Sequence, residues 1–577
     1  MGNEMLTRWG RQLDREHPLP EYPRPQLRRQ SYINLNGIWW YAFTETPAIP
    51  DEYEDEIVVP FSPEAPLSGV NRTLPRDGYL QYYRPFTLPE GFHRGRVLLH
   101  FGAVDQEAVV FVNDIEVGRH EGGYLPFTCD ITDALREGEN ELCVTVRDDA
   151  HHPFYGTGKQ RYVSRGIWYT AQSGIWQTVW LESVPLVYIK SVRITPDYDE
   201  SRVKVEIAVE GEAKRLSVEV LDGEKSLLRC DASEGVASIP LPGFKAWSPD
   251  SPFLYDLRIR CDEDEVESYF AMRKFSYVQH QGHRVFALNN EPIFHNGLLD
   301  QGYWPDGLMT APSDEALVFD ILRCKELGFN VLRKHIKVEP LRWYYHCDRL
   351  GMIVWQDMLC GGEVYNPFVT SIFPTVGFVR RRDNDYAKFG RSQEEGRQRY
   401  LRECWELVDH LYNCPCIALW VPFNEAWGQF DALKVAGELR RRDPTRHIDH
   451  ASGWHDQGWD EIKSRHIYFR PLHLKNDGRA LCVTEFGGYT FAVDGHRWSL
   501  KPYGYRRCKT LEVFRADYES LYRHQVLPHI RKQGLTAAIY TQLSDVEQEC
   551  NGLFTYDREV LKLDEEKLKA INAEMKF

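Results

Sequence analysis

Two glutamates, Glu425 and Glu485, each follow a short apolar run and could perform acid–base or nucleophilic chemistry. Glu425 comes after Ile417–Phe423 and Asn424, and Glu485 comes shortly after Ala480–Val483. Both runs predict buried strands of a parallel barrel, where catalytic groups gather at the C-terminal rim. Two carboxylates on one rim can flank a glycosidic bond. The alternative is that each glutamate begins a solvated loop, and the Asn-Glu and Glu-Phe-Gly-Gly contexts favour catalysis.

Other polar residues end or follow the neighbouring predicted strands, and they are candidates for contact with a substrate. Arg333 could hold Glu485 ionised through charge-assisted hydrogen bonds, and Asn424 could bond a sugar hydroxyl. Each candidate could instead be a satisfied group of the core or the rim. The candidates are Asp300, Arg333, Asn424, His466 and Tyr468, the last two on the predicted sixth strand Arg465–Phe469.

Aromatic residues make up 13% of the chain, which suits sugar binding because apolar sugar faces stack on rings. Trp304 and Trp454 are candidates for such stacking, as are Trp355 and Trp427. Loop packing is the alternative for each of them, and β-rich domains carry many aromatic residues for other reasons.

A basic cluster, Lys334, His335 and Lys337, follows Arg333. One interpretation is that part of it meets a carboxylate on the substrate. The other, which we favour, is that these side chains pair locally with Glu339 or Asp357.

Strand and helix patterns divide the chain into three predicted domains. Residues 1–186 carry short strands separated by turn signals, which indicates a β jelly-roll sandwich. Residues 187–275 repeat this pattern on a smaller scale and fit an immunoglobulin-like sandwich. Residues 276–577 alternate strands with amphipathic helices, which predicts a (β/α)8 barrel. An open doubly wound sheet is the alternative, and the lack of a glycine-rich phosphate loop disfavours it.

Charge and cysteine content limit the binding partners and the compartment that we expect for this chain. The 577 residues carry a formal net charge of −15, which disfavours nucleic acid and anionic membranes as partners. The N-terminal residues lack an apolar signal core, and no run is long enough to span a membrane. The 13 cysteines are scattered and show no metal-site spacing, so we expect free thiols in a reducing cytoplasm and no metal.

Several motifs together carry a family resemblance over nearly the whole length. On them the chain resembles glycoside hydrolase family 2, the group of β-galactosidases, β-glucuronidases and β-mannosidases. The motifs are Leu35–Trp39, Val58–Glu64, Gly122–Phe127, Gly174–Glu182, Trp247–Tyr255 and Gly328–Arg333.

The resemblance implies roles for the polar residues. The acid/base of the family falls on Glu425, its nucleophile on Glu485 and its arginine on Arg333. Members retain anomeric configuration, so a covalent glycosyl-enzyme at Glu485 is implied, with no cofactor. Because members are often dimers or tetramers, a homo-oligomer is also left open.

Two departures from the family pattern concern the sugar. Many members have a Ser-His-Tyr type turn after the arginine, where this chain has Lys334–Lys337. Glucuronidases carry Asn-x-Lys where this chain has Glu549–Asn551. We therefore expect a neutral sugar, and most specifically a β-galactosidase. A β-glucuronidase or β-galacturonidase is the alternative, and a carbohydrate-binding protein without catalysis is a further one.

Overall fold

The computed structural model describes residues 5–375, 377 and 381–577. They form two β-sandwiches followed by a barrel of parallel strands. The predicted fold class is therefore confirmed. Each sandwich has a hydrophobic core of its own, and the barrel has the largest one.

The first sandwich packs a four-stranded sheet on a six-stranded sheet. Alternating residues of its strands point inward, as in Glu107–Val112, where Ala108, Val110 and Val112 are buried. The four-stranded sheet contains Tyr32–Asn34, Val179–Val184, Arg96–Phe101 and Phe127–Asp130. The six-stranded sheet contains Asp55–Val59, Gly37–Thr44, Tyr79–Thr87, Glu139–Arg147, Glu107–Val112 and Ile115–Glu121. The remaining short strands are Val104–Asp105 with Gly174–Ile175, and Gln160–Arg161 with Tyr169–Thr170.

The second sandwich is immunoglobulin-like, with three strands facing four. The alternation of Val203, Val205 and Ile207 with polar residues places one face of a strand in the core. The three-stranded sheet contains Tyr188–Asp197, Arg202–Glu210 and Val236–Pro240. The four-stranded sheet contains Lys225–Asp231, Leu216–Asp222, Tyr255–Cys261 and Asp264–Phe270.

Eight parallel strands form the barrel sheet. In chain order they are His295–Asp300, Val331–Lys334, Ile353–Asp357, Ile417–Val421, His447–Ile448, Ile462–Ile467, Ala480–Gly487 and Leu535–Thr541. Hydrogen bonds join the first strand to the eighth, and the described residues show no ladder between the fifth and the sixth. The barrel is therefore nearly closed, and the C-terminal ends of its strands meet at one rim.

Helices cover the outside of the barrel, and their ends follow the sequence signals. Ser313 caps the first of them by accepting a hydrogen bond from the Ala316 amide at 3.2 Å. The α-helices are Asp314–Glu326, Leu341–Leu350, Phe373–Thr375, Glu394–Leu411, Ala432–Arg442, Leu511–Leu521, Leu527–Gln533 and Glu565–Ala573. Short 3-10 helices are Gly10–Gln12, Pro25–Leu27, Pro66–Ser68, Thr132–Ala134 and Tyr386–Phe389, and π turns are Phe368–Ile372 and Tyr522–Val526. Of the helices described, none combines the length and the apolar character needed to cross a membrane.

A small three-stranded sheet closes the end of the barrel opposite the rim. Its strands are Phe275–His280, His283–Leu288 and Glu291–Pro292. Phe286 places its ring 4.7 Å from that of His295 and 4.8 Å from that of His447, on the first and fifth barrel strands. With this end filled by packed side chains, the rim is the open end.

Candidate active site

A tight turn after the fourth barrel strand positions Glu425. The strand ends at Val421, and Glu425 and Ala426 both have left-handed backbone conformations, with φ of 48° and 64°. The Glu425 amide donates to the carbonyl of Ser452 at 3.1 Å, which ties the turn to the next strand connection. Non-glycine residues adopt this conformation only where the surroundings impose it. The turn therefore fixes the direction of the Glu425 side chain.

Glu485 lies within the seventh barrel strand, which continues to Gly487. The sequence predicts this glutamate at the strand end, and the strand is two residues longer. Irregular pairing on both sides of Glu485 shifts the register, and the residue paired with it is His466 of the sixth strand. The sixth strand is Ile462–Ile467, so Tyr468 follows it instead of lying within it.

The structure brings the two glutamates together around His466. A carboxylate oxygen of Glu425, one of Glu485 and a ring nitrogen of His466 all lie within 4.8 Å of one another. His466 Nδ1 is 2.8 Å from Glu425 Oε1 and 3.6 Å from Glu485 Oε1. All three residues are buried. The arrangement places two carboxylates at the separation needed to act on one bond.

Arg333 fixes the Glu485 side of the site from the second barrel strand. Its guanidinium contacts Glu485 Oε1 at 3.3 Å and forms a two-point pair with Asp357 at 2.9 and 3.0 Å. It also donates to Asn424 Oδ1 at 2.8 Å. Burial disfavours its charge, but the charges of Asp357 and Glu485 raise the pKa of Arg333 above its ordinary value. The predicted contact with Glu485 is present, and Arg333 also orients the residue beside Glu425.

Burial gives Glu425 the electrostatics of a proton donor. Loss of solvation raises the pKa of Glu425 to about 7, although the charges of Lys159 and Arg333 lower it and that of Glu549 adds to the rise. Burial also lowers the pKa of His466 to about 4, so its ring is neutral near pH 7. A neutral ring leaves Glu425 without a cation at hydrogen-bond distance, which helps it to keep a proton.

Two further polar side chains, those of Tyr468 and Asn424, lie beside the carboxylates. The hydroxyl of Tyr468 donates to Glu485 Oε2, so each oxygen of Glu485 has one donor. The amide nitrogen Nδ2 of Asn424 is buried and has no hydrogen-bond partner among the described residues. An unpaired buried donor is costly unless a ligand pairs with it. Asn424 Nδ2 is therefore well placed to meet a substrate hydroxyl.

The basic cluster after Arg333 is held by internal acids. Lys334 Nζ lies 2.7 Å from Asp300 Oδ2 and 2.8 Å from Glu339 Oε1. Lys337 Nζ contacts the same Glu339 oxygen at 2.8 Å and the carbonyls of Gly302 and Met309. The local pairing favoured from the sequence is what the structure contains. Asp300 belongs to this network, and its contact with a substrate stays a prediction.

The tryptophans divide between the site and the core. The Trp454 ring lies 6.2 Å from that of His466, at the wall of the site. Trp304 instead packs 5.9 Å from Trp9 and under the guanidinium of Arg558, where it is buried. Its surroundings are those of a core residue, so the structure gives its predicted stacking on sugar no support.

A lysine of the first sandwich also reaches the site, and sequence reasoning missed it. Lys159 is buried, and its Nζ lies 5.6 Å from the ring centre of Trp427 and 5.5 Å from that of Tyr169. Its charge acts on Glu425 and on Asp357. The only sequence signal is the glycine-rich stretch Gly156–Lys159, far from the barrel in the chain.

Glu425, His466 and Glu485 are spaced closely enough to surround a cation. Their donor set does not favour that use, because the guanidinium of Arg333 already contacts Glu485. The arrangement fits proton transfer and covalent catalysis better than metal binding.

Family comparisons agree with this geometry. The sugar-binding domain of the glycosyl hydrolases family 2 matches residues 68–185, a second family 2 domain matches residues 187–273, and the family's TIM barrel domain matches residues 282–475. The chain belongs to glycosyl hydrolase family 2. Within this family the three matched segments correspond in order to the two sandwiches and the barrel described above.

Relatives within family 2 carry more than one activity name. A β-galactosidase of Thermoanaerobacter pseudethanolicus is 24% identical over 454 residues, covering 72% of this chain and 55% of the relative. A putative β-glucuronidase of Formosa agariphila is 23% identical and covers 57% of this chain and 38% of the relative. The chain spans about half the length of the curated relatives it matches.

Solved structures share the fold over nearly the whole chain. A β-glucuronidase of an uncultured Clostridium superposes with a TM-score of 0.73 at 19% identity, covering 95% of this chain and 99% of the other. A β-galacturonidase from Eisenbergiella tayi, bound to galacturonate, superposes with a TM-score of 0.71 at 20% identity, covering 95% and 98%. At this identity the likeness establishes the fold of this family 2 member.

Proposed function

We propose that the protein is a retaining exo-β-glycosidase that cleaves terminal β-linked sugars by double displacement. The observation that carries this proposal is the pair of buried carboxylates, one oxygen of each lying within 4.8 Å of the other. Retaining glycosidases hold their two carboxyl groups about 5–5.5 Å apart, whereas inverting enzymes need about 6.5–9.5 Å to admit a water. The short separation leaves room for direct attack on the sugar.

The two glutamates have different environments, which assigns their roles in the proposal. Glu485 attacks the anomeric carbon and forms the covalent glycosyl-enzyme, while Arg333 and Tyr468 hold its two oxygens. Glu425, with its pKa raised to about 7, donates its proton to the departing glycosidic oxygen. The resulting Glu425 carboxylate then takes a proton from water, which attacks the same carbon and releases the sugar.

For the sugar itself, we propose a β-galactoside as the reference substrate. Several relatives are named β-galactosidase. The two lysines of the basic cluster are occupied by Asp300 and Glu339, so they offer no free charge to a substrate carboxylate. Glu549, near the stretch where glucuronidases are expected to carry a lysine, accepts from Tyr169 and Asn551. These contacts support a neutral sugar beside Glu549.

A uronide is the second candidate, and Lys159 is the observation that favours it. This lysine lies in the site without a carboxylate partner among the described residues. The solved structures that share the fold include a β-glucuronidase and a β-galacturonidase by name.

A fluorinated slow substrate tests the proposed reaction. Incubation with an activated 2-deoxy-2-fluoro-β-galactoside should leave a covalent sugar on the peptide that contains Glu485, detected by mass spectrometry. The Glu485→Gln variant, a near-isosteric control, should bind without forming this adduct. Saturable binding by the wild type without an adduct would instead indicate a carbohydrate-binding protein without catalysis.

The stereochemistry of the first product gives an independent test. Proton NMR of the fresh reaction should show the β-anomer before mutarotation. Early release of the α-anomer would exclude the double displacement, even if the glycoside is hydrolysed.

We further propose that the protein works in a reducing compartment such as the cytoplasm. All 13 cysteines are free, and ten of them are buried. A homo-oligomer is also proposed on the family resemblance, and sedimentation velocity measures it.

A further inference from the structure

Lys159 is the buried lysine whose charge the structure leaves unmatched. Four lysines are buried among the described residues: Lys159, Lys334, Lys337 and Lys562. Three of these contact a carboxylate at 2.8 Å or less. Lys159, which is 6% exposed, forms no ion pair and no side-chain hydrogen bond within the described part of the chain, and its ammonium lies near the two ring faces already noted. Buried charges are normally paired, so this group lacks its counter-charge.

The backbone around Lys159 is built to hold it at the barrel rim. The amides of Thr157 and Gly158 both donate to the carbonyl of Cys360 at 3.0 Å, and the Lys159 carbonyl accepts from the Tyr169 amide at 3.0 Å. Gly158 has φ of +60°, and a Cβ there would lie 2.6 Å from the Tyr124 hydroxyl. The close docking of this segment requires glycine, so the lysine is carried by a fixed loop.

The residues around Lys159 place its ammonium beside the pair of carboxylates. Trp427, which lies under its ammonium, is two residues after Glu425 in the same turn. The nearby acids have other partners: Asp357 pairs with Arg333 and His335, and Glu549 accepts from the Tyr169 hydroxyl at 2.5 Å. Glu425, on which the Lys159 charge also acts, contacts His466 and is the proposed proton donor, so it is not a fixed counter-charge. The geometry therefore leaves an anion of the substrate as the partner of Lys159.

We infer that Lys159 is a specificity-determining residue that binds an anionic substituent on the sugar being cleaved. This inference rests on the proposed glycosidase reaction, and it ranks the second candidate, an anionic sugar, above the neutral β-galactoside. The chemistry fits a carboxylate, as in a uronide, and it also fits a sulfate ester on a hydroxyl. Either group would make a charge-assisted hydrogen bond to the ammonium, and Trp427 and Tyr169 would exclude water around it.

The experiment compares wild type, Lys159→Met and Lys159→Arg on four nitrophenyl β-glycosides: galactoside, galacturonide, glucuronide and 6-sulfated galactoside. Wild type should cleave at least one anionic substrate with higher kcat/KM than the galactoside. In Lys159→Met, the ratio of anionic to neutral kcat/KM should fall about 10–100-fold, as expected for loss of a hydrogen bond between charged groups. Lys159→Arg should recover most of that ratio. Comparing the two uronides with the sulfated galactoside shows whether Lys159 binds a carboxylate or a sulfate.

The outcomes separate the two proposals. Hydrolysis of the galactoside alone, or a ratio unchanged in Lys159→Met, overturns the role of Lys159 and leaves the glycosidase assignment standing. Failure of wild type on every β-glycoside overturns the glycosidase assignment itself.

Two further measurements do not depend on the ratio of anionic to neutral kcat/KM. Because the Lys159 charge opposes the protonated form of Glu425, the basic limb of the kcat/KM profile on the galactoside should move to higher pH in Lys159→Met only. If Lys159→Met does not fold, inhibition of wild type decides: galacturonate should inhibit at a concentration about tenfold or more below galactose, and equal inhibition overturns the inference.

Discussion

The Nδ1 atom of His466 lies 2.8 Å from Oε1 of Glu425. Because burial lowers the pKa of this histidine to about 4, its ring is neutral at the pH where the enzyme is proposed to work. A neutral ring can donate to an ionised Glu425 or accept from a protonated one, depending on its tautomer. Ser452 Oγ, 3.2 Å from Nε2, can serve as partner in either case. His466 thus keeps contact with Glu425 through both steps of the proposed cycle without adding a charge.

The first prediction concerns the basic limb of the pH profile. Burial raises the pKa of Glu425 from 4.5 to about 7, so the proton-donating form is present below this pH and disappears above it. We expect kcat/KM for an aryl β-galactoside with a poor leaving group to fall tenfold per pH unit above about pH 7. Initial rates between pH 5 and 9 measure this limb.

Glu425→Gln is the control for this assignment. It should lose most activity on that substrate, yet still be glycosylated by a dinitrophenyl glycoside, whose leaving group needs no proton. Added azide should then speed turnover and yield a β-glycosyl azide, since azide needs no general base. A basic limb that persists at the same pH in this variant would contradict the role of Glu425.

The second prediction concerns Tyr468, whose hydroxyl donates to Glu485. Tyr468→Phe removes this donor and keeps the ring, which stacks 4.1 Å from that of Tyr505. Loss of one donor from a reacting oxygen in a buried site costs about 10²–10³ in rate. We expect kcat to fall by about this factor, while the melting temperature stays close to that of wild type.

Tyr505→Phe is the matched control, because it alters the stacked partner, for which the structure gives no hydrogen bond to Glu485. It should retain far more activity than Tyr468→Phe. Equal losses in the two variants would show that the loss of activity does not come from the contact between Tyr468 and Glu485.

The third prediction separates Lys334 from substrate recognition. Its ammonium lies between Asp300 and Glu339, and all three side chains are buried. Lys334→Met leaves both carboxylates without this partner, and breaking a buried ion pair costs about 3–5 kcal/mol. We expect a clearly lower melting temperature by differential scanning calorimetry, with the ratio of uronide to galactoside activity unchanged in the folded fraction.

The exposed pair of Lys204 and Glu206 provides the comparison for that measurement. Lys204→Met should change stability by less than about 1 kcal/mol, as is usual for surface pairs. A changed ratio of uronide to galactoside activity in Lys334→Met would indicate that this lysine takes part in substrate binding.

The barrel and its two glutamates could be predicted from the sequence because their signals are local. Ser313 caps its helix with its own side chain, and apolar runs mark the buried strands. Where a strand pairs irregularly, local signals fail, as at Glu485, which lies within its strand. The predicted strand around His466 also ends earlier than expected, at Ile467.

Residues brought to the site by long-range contacts could not be predicted in this way. Lys159 reaches the barrel because its loop bonds to Cys360, and nothing in its own neighbourhood indicates that partner. Trp304 is a second case, since its aromatic ring is the only reason to predict sugar stacking. Its actual environment is set by Trp9 and Arg558, which are distant in the chain.

The fourth prediction concerns Glu182, which links the two sandwiches. It is buried and pairs with Arg24 and Arg29 at 2.9 Å, and Arg29 also pairs with Asp264 of the second sandwich. Burial raises the pKa of Glu182, but the charges of Arg24 and Arg29 outweigh it and hold the pKa well below 4.5. A carboxylate whose pKa is lower in the folded state than in the unfolded state stabilises the protein at pH values above its unfolded-state pKa. This stabilisation is lost as the pH falls through the folded-state pKa.

Wild type should therefore lose stability progressively as pH falls below about 4.5, and Glu182→Gln should lose this component of the acid sensitivity. At pH 7 the variant should be less stable by about 3 kcal/mol, because the buried Arg29 and the partly buried Arg24 lose a charged partner. Melting curves at pH 3.5, 5 and 7 measure both effects, with the exposed Glu206→Gln as control. If Glu182→Gln and wild type lose stability in parallel between pH 5 and 3.5, the ionised Glu182 is not what joins the sandwiches.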